Sequence, residues 1–152
     1  MSSKIFFKLI NLFIIIIPIF SSEIIYLNED SFDKEVYSSN QVWLIEIFSE
    51  KCESCASFEP KWNQLIKKIN YINIGRINVD EKKGINIANK LNALDNGIPS
   101  IKLIISQSEI LDIMTGIEEP FPNSNTLKKR IDKILEEKGK LQDLKNNEKN
   151  EL

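Results

Sequence analysis

Apolar and polar positions along the chain alternate with two different periods, which predict strands and helices in turn. Short runs rich in β-branched and aromatic residues predict strands; these runs are Glu23–Leu27, Val42–Phe48, Tyr71–Val79, Ile101–Ile105 and Glu109–Met114. Apolar residues at helical spacing predict helices; these segments are Ser31–Ser38, a long helix that starts at the two cysteines, Gly84–Leu91 and Thr126–Glu137. The alternation predicts an α/β fold in which helices pack on a sheet.

The long helix carries several large apolar residues at helical spacing, and we expect them in the core. These residues are Phe58, Trp62, Leu65, Ile66 and Ile69. Pro60 falls inside the same pattern and should kink the helix, because proline lacks the N–H that would bond to the preceding turn.

The first 22 residues differ in composition from the rest of the chain. Lys4 and Lys8 precede an almost uninterrupted apolar run, Leu9–Phe20, and two serines follow it. This order is typical of a secretory signal peptide, so we predict one over residues 1–22. An uncleaved anchor is the alternative, but the run is shorter than the roughly 20 apolar residues that a bilayer span needs. We therefore expect no stable membrane span.

The other end of the chain carries a second address. The sequence over residues 138–152 is polar and charged, which predicts a flexible tail. Its last four residues, Lys149, Asn150, Glu151 and Leu152, differ by one substitution from the K-D-E-L signal that retrieves soluble proteins to the endoplasmic reticulum. With the signal peptide they predict a protein of the endoplasmic reticulum lumen, bound by a retrieval receptor through these four residues.

Composition leaves room for one domain between these ends. Of the 152 residues, 42% are hydrophobic and 28% are charged, which is enough for a single core, and we assign it to residues 23–137. The net charge of −2 gives no support for nucleic-acid binding. The sequence has neither a glycine-rich phosphate loop nor a set of metal ligands, so we expect no cofactor.

The chain's only two cysteines, Cys52 and Cys55, form a C-x-x-C motif where the strand Val42–Phe48 gives way to the long helix. At a helix N-terminus the free N–H groups and the helix dipole stabilise a thiolate, which predicts a redox pair. Three alternatives remain open. A zinc site would need ligands from a second chain because this one has no histidine. A structural disulfide would close a loop too short to stabilise the fold much, and two inert core cysteines would need no chemistry.

Two separated motifs resemble the thioredoxin-like domain of protein disulfide isomerases. The first is the strand Leu44–Phe48 leading into Cys52–Cys55 and on to Phe58–Trp62; the second is the turn Gly97–Ser100, which feeds a strand. The resemblance extends over residues 23–137 and implies a thioredoxin-like fold, with a central mixed β-sheet flanked by helices. It also implies a thiol-disulfide oxidoreductase or isomerase that acts on unfolded or disulfide-bearing client proteins.

The resemblance further implies roles for individual residues. Cys52 would attack a client disulfide, and Cys55 would resolve the mixed disulfide. Glu46, six residues before Cys52, matches the family's buried carboxylate, which takes the proton of the second thiol. An exposed strand residue is the alternative, although Glu46 lies on the same strand face as Leu44 and Phe48. Burial would raise its pKa and suit that task. Arg76 matches the basic partner of this carboxylate, and an ordinary surface arginine is the alternative.

In the second motif, the resemblance implies a cis peptide bond between Ile98 and Pro99. Only about 5–6% of X–Pro bonds in folded proteins are cis, so the sequence alone would not predict it. A cis bond here would place the Ile98 backbone beside Cys52, where it could bind an extended client segment through strand-like hydrogen bonds.

The active-site sequence departs from the family's usual pattern, W-C-G-H-C-K. Lys51 replaces the tryptophan, Glu53 and Ser54 replace the glycine and histidine, and Ala56 replaces the final lysine. Loss of the histidine and the added charge of Glu53 should raise the pKa of Cys52, and an exposed lysine compensates only in part. We therefore expect a weaker oxidant than its relatives.

A further departure lies at Gly116–Glu119, where relatives carry an arginine after the glycine and this chain does not. Two other functions stay open beside catalysis on many clients. One is a client-binding chaperone module whose pair is vestigial, and the other is a reductase for one dedicated lumenal partner. Replacing Cys52 by serine would separate catalysis from binding.

Overall fold

A computed structural model describes residues 23–151; the predicted signal peptide and Leu152 lie outside the described residues. The strands are β1 (Ile24–Tyr26), β2 (Trp43–Phe48), β3 (Asn73–Asn78), β4 (Ser100–Ser106) and β5 (Glu109–Met114). The α-helices are α1 (Glu53–Ile66), α2 (Lys82–Lys90), α3 (Ser124–Glu137) and α4 (Leu141–Glu151). A short π-helical segment, Asp33–Tyr37, occupies the first predicted helix.

The five strands form one mixed sheet in the order β1-β3-β2-β4-β5. Strands β1 and β2 both run parallel to β3, whereas β4 is antiparallel to β2 and β5 is antiparallel to β4. The predicted fold class, a central mixed sheet flanked by helices, is therefore confirmed. Strand β2 lies in the middle of the sheet and every one of its residues is buried.

Each face of the sheet has its own hydrophobic core. On one face, helices α1, α3 and α4 pack over Leu44 and the residues around it. On the other, helix α2 and the π-helical segment pack over Ile45 and Ile47. The predicted core residues of the long helix agree with this arrangement, since Phe58, Trp62, Leu65 and Ile69 are all fully buried and Ile66 is partly buried against them.

The end of the chain corrects one prediction. Residues 138–152 were expected to form a flexible polar tail, but the structure shows helix α4 from Leu141 to Glu151. Two leucines explain the difference: Leu141 is buried and Leu144, one turn later, packs against the same core as helix α3. Residues three apart share a helix face, so two apolar residues are enough to dock an otherwise polar helix.

No helix within residues 23–151 is long and apolar enough to cross a membrane.

Candidate active site

The loop between β2 and α1 is anchored to the end of the neighbouring strand β3. Asp80 follows β3, and its carboxylate accepts hydrogen bonds from the Ser49 hydroxyl and from the Glu50 N–H, both at 2.8 Å. The Ser49 hydroxyl in turn accepts from the Lys51 N–H at 3.0 Å. Because parallel strands end at the same edge of a sheet, β3 is well placed to hold this loop. The anchoring fixes where the following residue, Cys52, enters the helix.

Cys52 is the N-cap residue of helix α1 and its sulfur is a hydrogen-bond acceptor. The Cys55 N–H donates to Cys52 Sγ at 3.2 Å, and the Ser54 hydroxyl lies 3.0 Å from the same sulfur. Burial raises the pKa of the half-buried Cys52 thiol, but hydrogen bonds from the side chains and backbones of Cys55 and Ser54 outweigh this effect and lower the pKa below its usual value. The thiolate is the nucleophilic form of cysteine, so Cys52 is the reactive thiol of the pair.

Cys55 lies one turn inside the helix and has the opposite character. The residue is 4% exposed, and burial, followed by its hydrogen bond to Cys52 and the charges of Cys52 and Glu46, raises its pKa to about 12. At neutral pH this thiol therefore keeps its proton until a base removes it. The two thiols are both free, and they differ in exposure and in acidity.

Ser54 is a residue whose part in the site the sequence prediction missed. The expected rise of the Cys52 pKa rested on three charges: the lost histidine, the added Glu53 and the partly compensating Lys51. The Ser54 hydroxyl lies 3.0 Å from the Cys52 sulfur, and hydrogen bonding with Ser54 lowers the pKa of Cys52, whereas the sequence analysis expected this pKa to be raised. The Lys51 ammonium is exposed and lies 3.9 Å from Asp80 Oδ1, so its charge is paired with that carboxylate.

Glu46 and Arg76 face each other across the sheet. The register pairs Glu46 on β2 directly with Arg76 on β3, and Arg76 Nε lies 2.6 Å from Glu46 Oε2. Glu46 is fully buried and Arg76 is almost fully buried. The Arg76 guanidinium stacks on the Phe48 ring, with Cζ 3.9 Å from the ring centroid. Arg76 is therefore not the surface arginine of the alternative reading. The structure brings this pair together, close enough to buried Cys55 for the Glu46 charge to raise the Cys55 pKa.

The protonation state of Glu46 follows from its burial. Burial raises its pKa to about 8, although the Arg76 charge acts in the opposite direction; the charge of Glu59 adds to the increase. A carboxyl group that titrates near neutral pH can both accept and return a proton under physiological conditions. Glu46 is also one of the charges that raise the pKa of Cys55, so the two groups interact.

Glu59 is the second site residue that the sequence analysis missed. Its carboxylate accepts hydrogen bonds from both terminal nitrogens of Arg76: Nη1 donates to Oε1 at 3.2 Å and Nη2 donates to Oε2 at 2.6 Å. Glu59 sits on helix α1, seven residues after Cys52. Its spacing from Glu46 and Arg76 along the chain gave no signal, because the three residues meet only when α1 packs on the sheet.

The turn before β4 approaches Cys52 from the other side. The Ile98–Pro99 bond is cis, as the resemblance implied. The Ile98 carbonyl oxygen lies 3.9 Å from Cys52 Sγ and 3.4 Å from the Ser54 hydroxyl. Pro99 is buried and Ile98 is half-buried. The predicted client-binding backbone therefore lies within contact distance of the reactive sulfur.

Gly116 keeps this turn in position from the loop after β5. A Cβ added to Gly116 would lie 2.3 Å from the Gly97 carbonyl carbon and 2.4 Å from the Ile98 nitrogen, so only glycine allows the two backbones to lie this close. Gly97 itself has a φ of +74°, which also favours glycine. The loop lacks the family's arginine, and its Glu118 instead accepts hydrogen bonds from Arg130 of helix α3.

Within residues 23–151, no group of three or more histidine, cysteine, aspartate or glutamate side chains is arranged to hold a metal ion.

A mixed sheet with a C-x-x-C pair at the start of α1, a buried carboxylate beneath it and a cis-proline turn beside it defines the thioredoxin-like class of proteins. The sequence profile described as Thioredoxin matches residues 23–133, and the chain belongs to the thioredoxin family.

Within that family the chain is similar to several protein disulfide-isomerases. It is 30% identical over 84 residues to protein disulfide-isomerase A6 of Mesocricetus auratus, a match that covers 53% of this chain and 19% of that protein. It is 42% identical over 40 residues to protein disulfide-isomerase A6 of Homo sapiens, covering 26% of this chain and 9% of that protein. The chain thus matches less than a fifth of the length of these relatives.

A solved structure shares the fold. The crystal structure of the J-Trx1 fragment of ERdj5 superposes with a TM-score of 0.55 at 22% sequence identity, covering 68% of this chain and 46% of that one. At this identity the likeness supports the thioredoxin-like fold and nothing finer.

Proposed function

We propose that this protein is a thiol-disulfide oxidoreductase, with isomerase activity, that acts on client proteins through the Cys52–Cys55 pair. The observation that carries the proposal is the difference between the two thiols. Cys52 is accessible and its pKa is lowered, whereas Cys55 is buried and its pKa is raised to about 12. A nucleophile and a resolving thiol need these opposite properties.

The first step forms a mixed disulfide. The Cys52 thiolate attacks one sulfur of a client disulfide, a Cys52–client S–S bond forms, and the client's own S–S bond breaks to release a client thiolate. The Ile98 backbone lies 3.9 Å from Cys52 Sγ and can hydrogen-bond to an extended client segment, which would hold the target sulfur close to Cys52. Such binding reads the backbone of the client and not its sequence.

The second step releases the client. Cys55 loses its proton to Glu46 and attacks Cys52 Sγ; the Cys52–Cys55 disulfide forms and the client leaves as a thiolate. The client disulfide has then been reduced and the enzyme pair oxidised. In the reverse direction the enzyme disulfide oxidises a client dithiol. Glu46 suits the proton transfer because its pKa of about 8 lies near the working pH.

A client-binding chaperone module is the second candidate function. One observation favours it: Ile117 is 71% exposed and follows Gly116, which touches the Gly97–Ile98 backbone. An exposed apolar side chain beside the turn would add a contact for unfolded segments without any redox step.

Turnover of a disulfide-bearing test protein distinguishes the two functions. The purified protein and its Cys52→Ser variant are compared for reduction and reoxidation of a denatured disulfide protein, with Ser57→Ala as a control that changes an exposed side chain on the same helix. Catalysis that vanishes only with Cys52→Ser supports the oxidoreductase. No turnover in any form, with binding to unfolded protein retained, favours the chaperone module.

We also propose that the protein works in the endoplasmic reticulum lumen and that a retrieval receptor binds residues 149–152. The support is the sequence pattern at both ends of the chain, and Lys149 and Asn150 are exposed at the end of helix α4. Microscopy of the protein in cells, with and without these four residues, tests the proposal. Loss of the four residues should cause secretion; unchanged distribution would contradict the receptor's role.

A further inference from the structure

Arg76 is shared between two carboxylates that differ in their access to water. Its two terminal nitrogens bind the two oxygens of Glu59, and its Nε lies against Glu46. The Glu59 side chain is 38% exposed, while that of Glu46 is fully buried. Arg76 therefore lies between the buried carboxylate of Glu46 and the partly exposed carboxylate of Glu59.

The geometry favours Glu59 over Glu46 as the hydrogen-bond partner of the guanidinium. A fork of two parallel N–H bonds to one carboxylate is the strongest arrangement open to arginine, and Glu59 receives it. Glu46 has only the ion pair to Nε, and among the described residues neither of its oxygens receives a well-aligned hydrogen bond. A buried carboxylate with a single ion pair and no well-aligned hydrogen bond is poorly stabilised as an anion.

The net charge of Glu46, Glu59 and Arg76 also favours a proton on Glu46. With both carboxylates ionised, one guanidinium would balance two negative charges in a largely buried group. Among the described residues, the groups found beside this cluster carry no positive charge; they are the thiol of Cys55 on helix α1, the phenol of Tyr26 opposite Arg76 on β1, the Phe48 ring against the guanidinium and apolar Ile101 opposite Glu46 on β4. One proton on the cluster removes the imbalance, and buried Glu46 is the less hydrated of the two sites.

We infer that Glu59 is a positioning residue: it binds the terminal nitrogens of Arg76, so that the guanidinium, although its Nε contacts Glu46, stabilises the Glu46 carboxylate less than it would without Glu59. The inference rests on the proposed function for its catalytic meaning, because it sets the pH range in which Glu46 can take the proton of Cys55. Without the Glu59 charge, the Arg76 fork is free to turn toward Glu46 and stabilise it as a carboxylate.

Titration of the Glu46 carboxyl group by NMR in isotope-labelled protein tests the inference without any need for turnover. Glu59→Gln is nearly isosteric and its position is partly exposed, so the fold should be kept. We expect the Glu46 midpoint to move down by about one pH unit or more, the effect of an arginine freed to pair with a carboxylate. Glu53→Gln is the matched control, since it removes the same charge from the same helix without touching Arg76.

A catalytic readout accompanies the titration. If the protein turns over disulfides, the acidic limb of the pH profile for mixed-disulfide resolution should move down with the Glu46 midpoint in Glu59→Gln. A Glu46 midpoint that is unchanged in Glu59→Gln, or that shifts equally in Glu53→Gln, would overturn the inference. A shifted midpoint in a protein without turnover would support the role of Glu59 and count against the proposed function alone.

Discussion

Replacing Ser54 by alanine removes one hydrogen bond from the reactive sulfur and changes little else. The hydroxyl lies 3.0 Å from Cys52 Sγ and 3.4 Å from the Ile98 carbonyl. A thiolate can only accept, so in the ionised state the hydroxyl donates to the sulfur. In the thiol state the hydroxyl can turn to the carbonyl instead. The variant therefore destabilises the thiolate more than the thiol.

The expected shift follows from the strength of such a bond. Hydrogen bonds to charged groups contribute about 1.5–3 kcal/mol, and water replaces part of that contribution because Cys52 is half-exposed. Taking the lower end, and about 1.4 kcal/mol per pKa unit, the pKa of Cys52 should rise by about one unit in Ser54→Ala. Loss of thiolate stabilisation should also favour the disulfide form, which makes the pair more reducing.

The pH dependence of Cys52 alkylation by a small reagent measures this pKa, because buried Cys55 with its pKa of about 12 reacts far more slowly. Ser57→Ala is the matched control, since the Ser57 hydroxyl donates to the Ser54 carbonyl at 2.8 Å and does not contact the sulfur. Titration against glutathione should show the lower potential. An alkylation midpoint in Ser54→Ala equal to that of Ser57→Ala would refute the reasoning.

Two further perturbations test the turn and the buried carboxylate. Gly116→Ala places a methyl group 2.3 Å from the Gly97 backbone, so the Ile98 backbone must move. Because the turn then no longer positions the client, turnover of protein clients should fall by up to about 100-fold. Undiminished turnover would contradict the role of this contact. Glu46 has a pKa of about 8 against an ordinary 4.5, so the folded state holds a proton that the unfolded state releases, and stability should fall as pH rises between these values. Glu46→Gln should flatten this slope in urea unfolding, and an unchanged slope would rule out Glu46 as its source.

Much of the fold was predictable because its signals are local. The apolar periods located all five strands and the three helices between Cys52 and Glu137, to within a few residues. The prediction failed after residue 137 because composition is an average: the segment is polar overall, yet Leu141 and Leu144 share one helix face and dock it. The average composition of a segment cannot reveal two apolar residues that lie on the same face of a helix.

The site was predictable only in part. The positions of Cys52 and Cys55 at a helix start, and of Glu46 within a buried strand, follow from neighbours along the chain and from the resemblance. Ser54 was misjudged because charge was weighed without geometry, and the direction of its hydroxyl depends on the loop that Asp80 anchors.

The sequence by itself determined the alternation of strands and helices, the C-x-x-C pair at a helix N-terminus and the burial of a carboxylate ahead of it, since each depends on residues within a few positions of one another. Tertiary structure alone decided that Glu59 forms the bidentate pair with Arg76 and that Gly116 packs against the Ile98 turn. These contacts join residues 17 or more positions apart, and their distances are set by how helices and loops pack on the sheet. The chemistry of Glu46 is therefore encoded in the packing of the fold and not in the motif.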